Sequence, residues 1–210
     1  RLRVAPVQDG AYTFDVAAAQ GTVRLALRVP SASARLPFAL HRAAAGDYRD
    51  LLTAWEASFA EDDITSRQLM YWAILCGEGW SRADPAEVRR WGEGTEFLEA
   101  SLDMALNLQA ACPLLGPPVP ATDTAVVPRS QVPILFLVGE MDPQDPLENV
   151  EAAPASLPNA QILVVPGAGH GSLQWGCLPN VTARFFNMHR LSATDRTCAA
   201  AVLPPPFETR

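Results

Sequence analysis

Apolar and polar residues alternate near the start of the chain. Residues 12–16 form one expected strand, and in residues 22–29 every second side chain is apolar. A period of two is typical of a strand with one face in water. The pattern therefore predicts a β-hairpin within residues 1–30, ended by Pro30, although it does not fix the place of this hairpin in a larger fold.

A helical period replaces this alternation further along the chain. Residues 48–59 carry apolar side chains at three- and four-residue steps, and residues 97–111 continue such a face. Between them, Asp84 can cap a helix whose first position suits Pro85. Several short helices without intervening strands predict a mainly helical cap (lid) domain over residues 31–112.

Residues 113–131 contain Gly116-Pro117-Pro118 and Pro120 and few residues able to join a strand, which predicts a linker. Beyond it, residues 132–138 and 161–165 are almost wholly apolar, as expected for parallel strands covered on both faces. The pattern predicts an α/β segment over residues 132–210. The helices expected in this segment are residues 146–157 and 178–191.

Composition narrows the classes of protein and partner. The chain has 210 residues, of which 49% are hydrophobic and 19% charged, which favours a globular protein over a disordered one. A net charge of −7 argues against nucleic acid or an anionic membrane as the partner. No apolar run approaches the roughly 20 residues of a membrane span. The sequence begins at Arg1 without a signal-peptide pattern, as a mature N-terminus or a product of proteolysis or trimming would. Together with the missing nucleophile described below, this favours a chain cut from a longer precursor.

The four cysteines raise the question of redox compartment. None is part of a CxxC pair, so metal-ligand spacing is absent and no metal is expected. The sequence alone does not decide between four buried free thiols and disulfide bonding. If disulfides form, three connectivities are possible. A disulfide-bonded chain would be secreted or periplasmic. The cysteines are Cys76, Cys112, Cys177 and Cys198.

Two residues near the end of the chain carry the strongest chemical signal. Asp142 follows the first apolar run of the α/β segment, and His170 lies between two glycines after the second. A carboxylate there can orient the imidazole of a histidine that acts as a general base. Asp145 competes for the role of the acid, and Glu140 is a weaker candidate. An acid and then a histidine on successive strand-end loops is the order in which an α/β-hydrolase completes its triad.

The nucleophile of such a triad is missing from the sequence. No serine lies in the Gly-x-Ser-x-Gly turn that an α/β-hydrolase uses, and Ser172 is too close to His170 in the chain. We therefore expect the serine and its oxyanion hole on a companion chain or on an N-terminal segment that precedes this sequence.

Most of residues 36–198 resembles one branch of the α/β-hydrolases. The chain is similar to the C-terminal part of secreted tripeptidyl-aminopeptidase-like enzymes, which are relatives of proline iminopeptidases. The Asp and His blocks are generic to the hydrolase fold, whereas the cysteine positions and the Gly46-Asp47-Tyr48 block point to this branch. The matching stretches are residues 36–40, 45–48, 73–78, 132–135, 139–143 and 157–171, followed by Gly176-Cys177 and Cys198.

This resemblance implies roles for individual residues. Asp142 and His170 would be the acid and base of a Ser-His-Asp triad that needs no cofactor. Glu78 and Trp80 would contact substrate in the cap, where an acid can hold the free amine of a peptide. A solvated loop position is the alternative for Glu78. The implied reaction is release of residues from peptide N-termini. A carboxylesterase of the same fold and a non-catalytic binding module remain as alternatives. The implied disulfides are Cys76–Cys112 and Cys177–Cys198.

Overall fold

The computed structural model describes residues 2–10, 12–58, 64–79, 82–117, 129–151 and 153–209. It divides the chain into two compact units. The first comprises Arg1–Val23 and Gly46–Val126, and the second comprises Arg24–Ala45 and Val127–Arg210. Residues 31–45 of the predicted cap thus belong to the same unit as the α/β segment.

Both helices and strands are present, and the chain is of the α/β class. The strands and helices in chain order are β1 (Val7–Asp9), β2 (Tyr12–Phe14), α1 (Val16–Leu27), α2 (Pro30–Ser33), α3 (Leu36–Ala44), α4 (Arg49–Ala57), α5 (Ile64–Glu78), α6 (Pro85–Gly92), α7 (Leu98–Leu115), β3 (Ile134–Gly139), α8 (Glu148–Glu151), β4 (Ala160–Val165), α9 (Leu178–Met188) and α10 (Ala193–Ala200).

The hairpin predicted within residues 1–30 is only partly right. Strands β1 and β2 pair in antiparallel fashion, with Val7 opposite Phe14. The expected second strand, residues 22–29, is instead mostly helix α1. Asp15 explains the change, because its carboxylate accepts the main-chain N–H of Ala18 at 2.9 Å and so caps an alanine-rich first turn.

In the described part of the first unit, an aromatic cluster and a disulfide hold the elements together. Phe14 is fully buried and lies against the ring of Trp55, with ring centroids 5.3 Å apart. Helices α5 and α7 are joined by the disulfide Cys76–Cys112, and Leu108 is buried beside it. The stripe predicted from Tyr48 onward forms α4, whose buried residue is Leu51.

The helix predicted to begin at Asp84 and Pro85 is α6. The carboxylate of Asp84 accepts the main-chain N–H of Ala86 at 2.8 Å, which is the expected N-cap contact. Helix α7 continues past Pro113 to Leu115, so the first residues of the predicted linker are helical. Residues 118–128 of that linker lie outside the described part of the chain.

The second unit contains the predicted pair of parallel strands. Strand β3 pairs with β4 in one register from Ile134 opposite Ala160 to Gly139 opposite Val165. Leu163 and Val165 of β4 are buried against Leu178 and Val181 of α9. In the crossover between the strands, the described residues 140–151 and 153–159 form the short helix α8 and a 3₁₀ turn at Ala153–Ala155.

Two helices close the second unit. Helix α9 covers most of the predicted last helix, and α10 follows it as an element that the sequence analysis did not predict. The disulfide Cys177–Cys198 joins the start of α9 to α10. Among the helices of the described ranges, none combines the length and the apolar character that crossing a membrane requires.

Candidate active site

The site is built where the two parallel strands end. Because neighbouring parallel strands run in the same direction, the loops after Gly139 and Val165 leave the sheet at the same edge. Main-chain hydrogen bonds join the two loops. The N–H of Glu140 donates to the carbonyl of Val165, and that of Met141 donates to Ala168, both at 3.0 Å.

Gly139 allows this close approach of the two loops. A Cβ atom at this position would collide with the main-chain carbonyls of Ala168 and Gly169. The absence of a side chain therefore lets the acid loop lie directly on the histidine loop. This is a packing requirement for glycine at the end of β3.

Asp142 and His170 meet across these loops, as the sequence predicted for an acid and a base on successive strand ends. Nδ1 of His170 lies 3.0 Å from Oδ2 of Asp142. The Asp142 side chain is 7% exposed and that of His170 is 27% exposed. A nearly buried carboxylate thus faces an imidazole that keeps access to solvent.

The other oxygen of Asp142 is also engaged. Oδ1 accepts the main-chain N–H groups of Gln144 at 2.8 Å and of Asp145 at 3.1 Å. Burial raises the pKa of Asp142, but these two N–H groups and then His170 outweigh it, so the pKa lies below its ordinary value. The carboxylate is therefore ionised at neutral pH, as an acid that orients a histidine must be.

Asp145, the competing acid, reaches the same ring nitrogen from further away. Its Oδ2 lies 3.5 Å from Nδ1 of His170, and its side chain is 63% exposed. Asp142 is closer to the ring and nearly buried. The geometry thus favours Asp142 as the principal partner of the histidine.

The sequence analysis missed two contacts of His170. Nε2 of Gln144 lies 3.4 Å from Nε2 of the ring. The main-chain N–H of His170 donates to the carbonyl of Arg28 at 2.8 Å. The first could have been found from Asp142-Pro143-Gln144-Asp145, because aspartate and proline favour a tight turn there. The second has no local signal, since Arg28 lies far away in the sequence.

The same side chains offer a cluster of potential metal ligands. One atom each of Asp142, Asp145 and His170 lies within 4.8 Å of the other two. Within this cluster, Nδ1 of His170 and Oδ2 of Asp142 face each other at hydrogen-bond distance. In this arrangement Nδ1 of His170, the ring nitrogen nearest the carboxylates, is paired with Asp142.

Ser172 lies close to His170 in sequence, but its hydroxyl is directed elsewhere. The side chain is buried, and Oγ donates to the main-chain carbonyl of Leu137 in β3 at 3.4 Å. A hydroxyl used in this way supports the turn after β4.

The residues predicted to contact substrate lie in the first unit. Glu78 is exposed at the last position of α5. Trp80 lies outside the described residues. The structure therefore places one of the two at a helix end and does not test whether either contacts a ligand. The four cysteines are paired as the resemblance implies.

Comparison with known proteins supports a hydrolase. The sequence model of the TAP-like protein family, an α/β-hydrolase family, matches residues 100–198. This segment is similar to α/β-hydrolases. The match covers just under half of the chain and includes both Asp142 and His170, whereas Glu78 lies before it. No curated protein and no solved structure matches the chain.

Proposed function

We propose that this chain supplies the acid and the base of a serine hydrolase. The observation that carries the proposal is the 3.0 Å contact between Asp142 and Nδ1 of His170. It lies at the ends of two parallel strands, within the segment that is similar to TAP-like α/β-hydrolases. Acid and histidine loops in this order are how such a fold completes a triad.

The mechanism follows from the two ring nitrogens of His170. With Nδ1–H donating to Asp142, Nε2 carries the lone pair and accepts the proton of a serine hydroxyl as its oxygen attacks the substrate carbonyl. The same proton then passes from Nε2 to the leaving amine or alcohol. A water molecule then attacks the acyl-enzyme with the same two proton transfers through Nε2, which releases the acid and restores the serine. Asp142 stays ionised and stabilises the imidazolium formed in each half-reaction.

The serine and its oxyanion hole come from outside residues 1–210 in this proposal, from a companion chain or from an N-terminal segment of the same precursor. Two observations support it. The sequence has no Gly-x-Ser-x-Gly turn, and the hydroxyl of Ser172 is held by Leu137.

The proposed substrates are peptides with a free N-terminus. Glu78 is an exposed carboxylate at the end of α5 and would pair with the substrate ammonium, with Trp80 beside it in sequence. The proposed location is the periplasm or the extracellular space. Two disulfides support it, because such bonds persist in oxidising compartments.

Labelling with a fluorophosphonate tests the serine chemistry. The protein would be purified from its natural source through an affinity tag on this chain, treated with the probe and mapped by peptide mass spectrometry. We expect one labelled serine that lies outside residues 1–210. His170→Ala should abolish labelling, whereas the exposed His41→Ala should label at the rate of the unmodified protein.

The mapping has two contrary outcomes. A labelled serine within residues 1–210 would overturn the proposed origin of the nucleophile. Absence of any labelled serine in the purified protein would overturn the serine hydrolase itself and favour a binding module.

Substrate class is tested with paired substrates on the same preparation. An aminopeptidase should cleave an aminoacyl anilide and lose at least about 90% of its rate when the amine is acetylated, because the ammonium contact is lost. Glu78→Gln should raise KM for the free amine and leave the acetylated substrate unchanged. Rapid cleavage of a short acyl ester, with no effect of acetylation, would instead identify a carboxylesterase.

A further inference from the structure

One short turn contacts both ring nitrogens of His170. Oδ1 of Asp142 accepts the main-chain N–H groups of Gln144 and Asp145, which folds the chain back over the aspartate. This fold brings the Gln144 side chain to the ring. Its Nε2 lies 3.4 Å from Nε2 of His170, while Oδ2 of Asp142 lies 3.0 Å from Nδ1.

With the amide nitrogen of Gln144 towards the ring, these two contacts are compatible with only one protonation state of the ring. The side-chain nitrogen of a glutamine donates hydrogen bonds and cannot accept them. Nε2 of His170 must therefore present its lone pair to Gln144. The carboxylate of Asp142 only accepts, so Nδ1 must carry the proton. The neutral tautomer with hydrogen on Nδ1 satisfies both partners.

We propose that Gln144 is a positioning residue that holds His170 in the tautomer required of a general base. Its amide occupies the lone pair of Nε2 in the place that the serine hydroxyl takes in the assembled enzyme. This inference rests on the proposed function, because it assigns Gln144 a role in the same site.

For this role, the amide of Gln144 must be able to leave Nε2 of His170 when the serine hydroxyl arrives. Nε2 has a single lone pair in the ring plane, so the amide of Gln144 and a serine hydroxyl compete for it. Gln144 is exposed and its main-chain N–H, not its side chain, is tied to Asp142. The side chain can therefore swing away while the turn and the Asp142–His170 pair stay in place.

Nitrogen NMR of the full ¹⁵N-labelled chain tests the tautomer without any need for activity. In the unmodified chain at neutral pH, Nδ1 of His170 should give a protonated signal and Nε2 the signal of an acceptor that receives a hydrogen bond. Gln144→Leu should move the Nε2 signal away from that of a hydrogen-bonded acceptor and add a fraction of Nε2-protonated ring, because the lone pair has lost its donor. Gln144→Glu presents a second acceptor and should give a ring protonated on both nitrogens.

Asn149→Asp is the matched control for the added charge. It introduces a carboxylate at an exposed position in α8, on the same loop region, and should leave both ring signals unchanged. Unchanged ring signals in both Gln144 variants would overturn the inference. So would an Nε2-protonated tautomer in the unmodified chain.

Kinetics of the assembled hydrolase supply the second readout. Gln144→Glu should lower kcat by about 100-fold or more with little change in KM, because an imidazolium cannot accept the serine proton. Gln144→Leu should lower kcat by a smaller factor, about 3- to 10-fold, because part of the ring then carries its proton on Nε2 and cannot accept the serine proton. An unmodified assembly without hydrolase activity would overturn the proposed function, whereas the NMR result would still decide the contact between Gln144 and His170.

Discussion

The main-chain carbonyl of Arg28 accepts the main-chain N–H of His170 at 2.8 Å. Arg28 directly follows helix α1, and carbonyl groups at a helix end have no partner within the helix. The histidine loop supplies that partner. The end of α1 thus helps to fix the loop that carries the proposed base.

Gly169 should be required for this contact. A Cβ atom at this position would collide with the carbonyl of Arg28 and lie 3.1 Å from Cδ of Pro30. We expect Gly169→Ala to lower the free energy of unfolding by about 1–3 kcal/mol and to reduce fluorophosphonate labelling by displacing His170. Urea denaturation and labelling rate measure the two effects. Normal stability with normal labelling would show that the loop does not need the Arg28 contact.

Gly21→Ala should have the opposite effect and tests the helix that replaced the predicted strand. Gly21 lies inside α1, and an added Cβ meets no atom within 4 Å. Alanine should stabilise the chain by about 0.5–1 kcal/mol, because glycine loses more backbone freedom on entering a helix. Urea denaturation measures the gain. A loss of stability would instead favour the turn that the hairpin prediction places at residues 17–21.

The sequence analysis predicted a strand where α1 forms, because both the two-residue period of a strand and the period of a helix fit this short segment. Val23, Leu25, Leu27 and Val29 alternate with polar or small residues, but the segment is too short to exclude a helical period. The deciding signal was the cap at Asp15 before three alanines, which favours a helix start. The two apolar runs before Asp142 and His170 were unambiguous, since short runs of that kind suit buried parallel strands.

The main pair of the candidate site was predictable from the sequence, whereas its surroundings were predictable only where they depend on the local turn at Asp142. Asp142 and His170 lie on loops whose positions follow from the strands, so their meeting could be anticipated. The contact of Arg28 depends on tertiary packing between distant segments, which no local pattern encodes. Gln144 depends on the turn that Asp142 itself organises.

Substitution of the two acids should separate their roles. Asp142→Asn removes the nearly buried carboxylate at 3.0 Å and should lower kcat about 10³–10⁴-fold in the assembled hydrolase, because the histidine loses its orienting acid. Asp145→Asn removes an exposed carboxylate at 3.5 Å and should change kcat by less than about threefold. Hydrolysis rates and fluorophosphonate labelling measure both. A larger effect of Asp145→Asn than of Asp142→Asn would reverse the assignment.

Loss of either disulfide should destabilise the chain through the unfolded state. Cys76 and Cys112 are 36 positions apart, and Cys177 and Cys198 are 21 apart. Closing loops of these lengths stabilises by about 3–4 kcal/mol each. We expect each double serine variant to lose about that amount in urea denaturation. Reductant should lower the stability of the unmodified chain and leave a variant without any cysteine unaffected; no effect of reductant on the unmodified chain would contradict the pairing.

Asp195 should make the stability of the second unit depend on acid pH. Its side chain is buried at the start of α10, where Oδ2 accepts the hydroxyl of Ser192 at 2.7 Å and Oδ1 accepts Nε of Arg184 at 2.8 Å. The Ser192 hydroxyl contributes most to lowering the pKa of Asp195 to about 2, against the opposing effect of burial.

A pKa that is lower in the folded chain means that the folded state binds this proton less readily than the unfolded state. The stabilisation by Asp195 is therefore fully present above the unfolded pKa of about 4 and is lost as the pH falls towards 2. Asp195→Asn should lower the free energy of unfolding at pH 7 by about 2–3 kcal/mol through weaker hydrogen bonds. It should also flatten the decline between pH 4 and pH 2, measured by urea denaturation across that range. An equal decline in both proteins would show that other carboxylates, such as Asp142, account for the acid sensitivity.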